Sequence, residues 1–171
     1  MATAKTKKAR RAEKVRDPNN LVVATNRRAF HDYHIDATFE AGLNLLGTEV
    51  KSIRAGRVNL AEGFVRIINR EAWLWNVHIS PYQRGGYVNH EPTRARKLLL
   101  HKDQIGTLFR HTQMKGQTVI PIRLYLRNGR VKVEIAVARG KKLYDKRQAL
   151  AAKDAQRELD RVAKEYSPGR V

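Results

Sequence analysis

The dipeptide Asn128-Gly129 constrains the fold of this chain more than any other feature of its sequence. Asparagine followed by glycine is the preferred pair for a two-residue type I′ turn, and apolar residues alternate on both sides of it. In that register four apolar pairs lie opposite each other: Leu126 with Val131, Leu124 with Val133, Ile122 with Ile135, and Ile120 with Val137. We expect all eight on one buried face. Tyr125 with Lys132 and Arg123 with Glu134 form the opposite, wet face.

Alternation of apolar and polar residues over positions 33–45 predicts one long strand, bent at Gly42 and carrying Glu40 on its outer side. Residues 64–68 and 72–79 predict a hairpin. Trp73 and Trp75 share one face of its second arm and are expected in the core or the barrel wall, with base stacking as the less favoured alternative. Helical spacing and stop signals predict short helices at 47–55, with Thr48 as a candidate cap, and at 103–114. The buried face of the second helix is expected to carry Ile105, Leu108 and Phe109. A mainly β fold with short helices follows, a closed or nearly closed barrel of about six strands.

The charge of the chain points to a polyanionic partner. Its 35 Lys and Arg outnumber its 16 Asp and Glu, for a formal net charge of +19. Such an excess favours binding to nucleic acid. No stretch has the length of a membrane span and the start lacks the apolar centre of a signal peptide, so we expect no membrane partner and a cytoplasmic location.

The chain is expected to divide into three segments. Residues 1–20 form a basic arm with too few apolar residues to order itself, and 21–139 form the folded domain. Residues 140–171 form a basic tail, polar all round, which is expected to be disordered alone and helical on a partner. A long basic loop is expected at 80–97.

The sequence shows no constellation that would make an enzyme. There is no cysteine, so thiol chemistry and thiolate metal sites are excluded. His31 and His34 point to opposite faces of the predicted strand, which disfavours a shared metal ion. The acids are scattered and no nucleophile or phosphate-loop motif occurs. We expect no catalytic residue, no metal and no cofactor.

Several blocks of the sequence resemble one known family. They include Asn26-Arg27-Arg28-Ala29, FEAGLNLLGTEVKSIRAGRVNL over 39–60, RKLLLH over 96–101 and VKVEIAVARGKKLYDKR over 131–147. In this order they resemble the small protein B family, and the likeness covers nearly all of 26–147. The resemblance implies an oligonucleotide-binding (OB) barrel that binds the tRNA-like domain of transfer-messenger RNA (SsrA RNA). It also implies delivery of that RNA to stalled bacterial ribosomes for trans-translation, with elongation factor Tu as an indirect partner through the charged RNA.

The resemblance assigns RNA contacts to Asn26, Glu40 and Leu99. An asparagine amide can bond a base edge or sugar, a carboxylate can accept from a guanine edge or a 2′-hydroxyl, and a leucine can pack on a sugar or base. Without the resemblance they would be interpreted as a turn asparagine, a solvated acid and a core leucine. The full set of expected RNA-binding residues is Asn26, Arg27, Arg28, His31, Glu40, Lys51, Arg54, Arg94, Arg96, Lys97 and Leu99.

The tail is expected to bind the ribosome at its decoding centre and empty mRNA channel, in place of codon–anticodon pairing. Phosphates line such a channel and attract a basic chain. The residues assigned to this contact are Gly140, Lys141, Lys142, Tyr144, Asp145, Lys146 and Arg147.

Two other classes of protein remain open on the residues alone. A basic ribosomal or rRNA-binding protein with an OB fold would have the same charge. An RNA-processing enzyme would need an acid cluster or a histidine pair, which the sequence does not show.

Overall fold

The computed structural model describes residues 20–83, 89–141, 158, 159 and 161. The strands are β1 (Asn20–Thr25), β2 (Tyr33–Leu43), β3 (Val58–Asn59), β4 (Phe64–Ile68), β5 (Glu71–Trp75), β6 (His78–Ile79), β7 (Arg96–Leu99), β8 (Gln117–Arg127) and β9 (Arg130–Gly140). The helices are α1 (Arg27–Asp32), α2 (Gly47–Arg54) and α3 (Lys102–Gln113). The predicted fold class, mainly β with short helices, is confirmed.

Seven strands form one antiparallel sheet in the order β1-β8-β9-β2-β7-β5-β4, and β3 pairs separately with β6. The sheet has more strands than the six expected, because β1 adds an edge strand to β8. It is also not closed: β4 lies against β8, but no backbone ladder joins the two in the described part of the chain. The barrel is therefore an open one.

The Asn128-Gly129 turn forms as predicted, with both residues at positive φ (50° and 73°). Near the turn the predicted register is confirmed, from the Leu126–Val131 pair to the Arg123–Glu134 pair. Farther from the turn the predicted pairing is wrong, because a β-bulge at Ile122 leaves Pro121 opposite Ile135.

The bulge splits the eight apolar residues that were expected on one face. Leu124, Val133, Ile135 and Val137 join the main core, whereas Ile120 and Ile122 pack in a smaller core with Ala29 of α1. One extra residue in β8 reverses the sheet face to which side chains point on the far side of the bulge from the turn. A second apolar layer therefore lies under α1, a helix that the sequence analysis did not predict.

Three other predictions about side chains are wrong. Thr48 does not cap α2; the Glu49 carboxylate accepts a hydrogen bond from the Leu46 amide at 2.7 Å instead. The tryptophans are not in the core, because Ala72 and Leu74 face the interior and leave Trp73 and Trp75 half-buried on the other face of β5.

Phe109 is likewise exposed, although it was expected on the buried face of its helix. Of the residues in α3 only Leu108 is buried. Helix α3 thus covers the core with one narrow side.

Candidate nucleic-acid interface

Leu99 lies on the outer face of β7 and is 56% exposed, which is unusual for a leucine in a sheet. Its strand neighbour on β2 is Gly42. A Cβ atom at Gly42 would lie 3.3 Å from the Leu99 Cβ, so the glycine allows Leu99 to lie close to the β2 backbone. Leu99 is therefore held at the surface by its strand and is free to contact a partner.

An open groove of about 650 Å³ surrounds Leu99, and we call it the Leu99 groove. Its charged lining residues are Glu40, Arg70, Glu71, Lys97, Lys102 and Lys132. The sheet thus brings together three residues that the sequence analysis assigned to RNA binding: Glu40, Lys97 and Leu99. Four cations beside an exposed apolar side chain suit a ligand with phosphates and apolar ring faces.

Glu40 faces away from the core as predicted, and its carboxylate is held by three neighbours. The Tyr125 hydroxyl donates a hydrogen bond to it, Arg127 donates at 3.1 Å, and the Lys132 ammonium lies 3.5 Å away. The Tyr125 bond is the main cause that lowers the pKa of Glu40; Arg127 and Lys132 add to it and partial burial opposes it. The carboxylate is therefore charged and fixed in orientation, ready to accept from an RNA donor.

Lys97 is not a free cation, because its ammonium donates to the Glu71 carboxylate within the same groove. Both side chains are more than a third exposed. Exposed pairs of this kind contribute little to stability and can be exchanged for a phosphate contact.

Arg94 lies in the loop before β7, as the sequence analysis expected, but Arg96 does not. Arg96 begins β7 and is fully buried, with its Nε 2.8 Å from the equally buried Glu49 carboxylate. Arg94 donates to both oxygens of the same carboxylate. The prediction that Arg96 binds RNA is wrong for the folded domain, because its side chain is fully buried.

The Glu49 carboxylate is charged despite its burial. Burial alone would raise its pKa, but hydrogen bonds from Arg94 and the Leu46 amide and the charge of Arg96 outweigh this effect, and the pKa is lowered. Burial lowers the pKa of Arg96, yet an arginine starts so far above neutrality that it stays charged. The buried Glu49 and Arg96 and the partly exposed Arg94 form an ion cluster that joins β7 to α2.

Asn26, which the resemblance assigned to RNA contact, is buried at 5% exposure. Its side chain caps α1 by accepting from the Ala29 amide at 3.1 Å. The amide group donates to the carbonyls of Leu60 at 3.2 Å and Pro121 at 3.1 Å. Asn26 therefore joins three parts of the chain, and its role as an RNA ligand stays a prediction.

The other expected ligands on α1 form a separate exposed group. Arg27 and His31 are exposed, His31 contacts Asp32 at 2.9 Å, and Arg28 pairs with Glu62 at 2.7 Å. None of these residues lines the Leu99 groove. The expected RNA ligands on α1 therefore lie on a different surface from those in the Leu99 groove.

The start of the tail is anchored beside α1. Gly140 ends β9, the Lys141 amide donates to the Asp32 carbonyl at 2.8 Å, and the Lys141 ammonium donates to the Phe30 carbonyl at 3.0 Å. The other expected ribosome-binding residues lie outside the described residues, namely Lys142, Tyr144, Asp145, Lys146 and Arg147. Residues 1–19 of the predicted N-terminal arm (1–20) lie outside them too, and Asn20 begins β1.

Lys51 and Arg54 are exposed on α2. Lys51 lies 5.4 Å from the centre of the Tyr82 ring, and Arg54 donates to the Gly129 carbonyl at 3.3 Å. The second contact holds α2 against the β8–β9 turn. Their RNA contacts stay predictions.

Within the described ranges there is no group of three or more His, Asp or Glu that could hold a metal ion. No helix in the same part of the chain has the length and apolar character needed to span a membrane.

Comparison with known proteins assigns the family. The family model described as SmpB protein matches residues 23–165. The chain belongs to the SmpB family. An SsrA-binding protein of Caldicellulosiruptor saccharolyticus is 54% identical over 155 residues, which cover 91% of this chain and 98% of the relative. An SsrA-binding protein of Roseiflexus castenholzii is 59% identical over 145 residues, covering 84% and 92%.

A solved structure also resembles this chain. It is described as "tmRNA-SmpB: a journey to the center of the bacterial ribosome". The two chains are 47% identical with a TM-score of 0.62, and the match covers 71% of this chain and 85% of the other.

Tyr125, Arg127 and Lys132 were not predicted from the sequence as partners of Glu40. The hairpin register had placed Tyr125 and Lys132 on one outer face, so part of the signal was present. The pairing of β2 with β9, which sets Glu40 beside that face, is a contact between distant segments. Local patterns do not determine it.

Replacing Tyr125 with phenylalanine is expected to lower the free energy of unfolding by about 1 kcal/mol at neutral pH, because a charged hydrogen bond on a partly exposed carboxylate is lost. The bond lowers the pKa of Glu40 below its ordinary 4.5. The stabilisation is therefore complete above that value and is lost as the pH falls through the lowered pKa of the folded state. Urea unfolding over a pH series measures both effects.

Tyr33→Phe is the control, because no partner of the Tyr33 hydroxyl is found among the described residues and Tyr33 also lies in the sheet, where it is half-buried. A loss in Tyr125→Phe that stays constant far below pH 4.5 would show that the bond to Glu40 is not its cause.

Proposed function

We propose that this chain binds the tRNA-like domain of transfer-messenger RNA through the Leu99 groove. The observation that carries this proposal is the groove itself: an exposed leucine, a fixed carboxylate and unmatched positive charge on a chain of net charge +19. Phosphates would bind the cations, and Leu99 and Glu40 would contact a sugar, base or 2′-hydroxyl. The names of the SsrA-binding relatives and of the tmRNA–SmpB structure support this choice of RNA.

The proposed role is that of an adaptor without catalytic activity. It would deliver the charged RNA to stalled ribosomes in the bacterial cytoplasm, with elongation factor Tu bound to the RNA and not to this protein. The basic tail would enter the empty mRNA channel and contact the decoding centre in place of codon–anticodon pairing.

Leu99→Ala is expected to weaken binding of transfer-messenger RNA about tenfold, because the apolar contact of one leucine side chain is lost. Met114→Ala is the matched control, since Met114 is also 56% exposed but lies beyond the far end of α3. Affinities are measured by gel shift with the full-length proteins. Equal affinity for both variants would contradict the proposed site.

A basic ribosomal or rRNA-binding protein is the alternative function. The two differ in the RNA that accompanies the protein in the cell. Sequencing RNA that copurifies with the tagged chain is expected to show one small RNA enriched over rRNA. Recovery of rRNA in ribosomal proportion would favour the alternative.

A further inference from the structure

A second groove adjoins the Leu99 groove, between the β4–β5 turn and the outer side of α3. Its volume is about 710 Å³, and we call it the Phe109 groove. The side chains that line it are Ile67, Asn69, Arg70, Lys102, Ile105 and Phe109. It shares Arg70, Lys102 and Ile105 with the Leu99 groove, so the two form one continuous surface.

The Phe109 ring is available to a ligand. It is 48% exposed, whereas its neighbour Leu108 is fully buried. Gly106 lies one helical turn before it, and a Cβ atom there would have no neighbour within 4 Å. The helix surface beside the ring is thus left bare, and a flat group can approach it.

The charges around the groove are unmatched. Arg70 and Lys102 have no carboxylate within 4.0 Å among the described residues, unlike Arg28, Lys97 and Arg127, which are paired. No Asp or Glu lines the groove. An aromatic face in one groove with two free cations matches the chemistry of an unstacked base with its flanking phosphates.

We propose that the Phe109 groove binds an unpaired nucleobase of the bound RNA, stacked on Phe109, with the flanking phosphates on Arg70 and Lys102. The Asn69 amide, which has no partner in the described part of the chain, can bond the edge of that base. This inference rests on the proposed function and extends it to a second subsite. A peptide would fill the same apolar lining, but the free cations and the continuity with the Leu99 groove favour RNA.

The test compares Phe109→Ala, Phe109→Leu and Phe109→Trp in the full-length protein, with transfer-messenger RNA as the probe. Loss of a base stack is expected to reduce affinity about 5- to 100-fold in the alanine variant. Leucine is expected to reduce it too, and tryptophan to preserve it, because stacking needs an aromatic face. Met114→Ala, at the end of the same helix, is expected to bind as the unaltered protein does.

Two results would overturn the proposal. One is an alanine variant with unchanged affinity. The other is a leucine variant that binds as well as phenylalanine, since an apolar contact would then suffice. If the unaltered protein binds the RNA and Leu99→Ala weakens it while Phe109→Ala does not, only the second subsite is wrong. If the unaltered protein does not bind the RNA, the proposed function itself fails.

The phosphate contacts have a separate readout. Arg70→Ala and Lys102→Ala are each expected to reduce the log–log salt dependence of binding by about 0.7 to 0.9, the value for one neutralised phosphate. An unchanged slope in both variants would contradict phosphates at these positions.

Discussion

Replacing Glu49 with alanine is expected to destabilise the domain by about 3 to 5 kcal/mol, because it leaves the buried Arg96 guanidinium without a counter-charge. Arg96 would keep its hydrogen bonds to the carbonyls of Val77 at 2.7 Å and Pro92 at 2.9 Å, but carbonyls do not neutralise it. A domain of this size has only about 5 to 15 kcal/mol of net stability. Urea unfolding at neutral pH measures the loss.

Two further variants keep this prediction testable if Glu49→Ala does not fold. Glu49→Gln retains a hydrogen-bond acceptor and removes only the charge, so it isolates the ionic contribution. Glu62→Ala removes the exposed pair with Arg28 and is expected to cost less than about 1 kcal/mol. A Glu49→Gln variant as stable as Glu62→Ala would show that the buried charge contributes little.

Truncation after Lys141 is expected to abolish peptide tagging on stalled ribosomes while leaving affinity for transfer-messenger RNA nearly unchanged. The cut retains Lys141 and both of its bonds to the carbonyls of Asp32 and Phe30, so the described domain keeps its contacts. The removed segment carries five of the seven residues proposed to bind the ribosome: Lys142, Tyr144, Asp145, Lys146 and Arg147. Tagging in a reconstituted translation system and gel-shift affinity are measured on one preparation.

A triple variant in the full-length chain narrows the same test. Asp145→Ala with Lys146→Ala and Arg147→Ala is expected to lose tagging and keep RNA affinity, as truncation does. Full tagging by the truncated protein would refute the proposed role of the tail without affecting the RNA-binding role of the Leu99 groove.

The sequence by itself determined the local structures of this protein. The Asn128-Gly129 turn, the first four cross-strand pairs of its hairpin, the outward direction of Glu40 and the approximate bounds of α2 and α3 follow from turn chemistry and periodicity. These depend on residues near each other in the chain. The family was likewise identified from ordered sequence blocks.

Only the tertiary structure decided which of the charged residues are available to RNA. The bulge at Ile122 and helix α1 arise where distant segments pack on each other, and they bury Asn26. The pairing of β7 with α2 through Glu49 encloses Arg96, and the pairing of β2 with β9 surrounds Glu40 with three donors. Helix α3 leaves Phe109 exposed, where periodicity had placed it in the core. In each case burial depends on contacts between residues far apart in the chain, and a local pattern cannot encode which partner will cover a side chain.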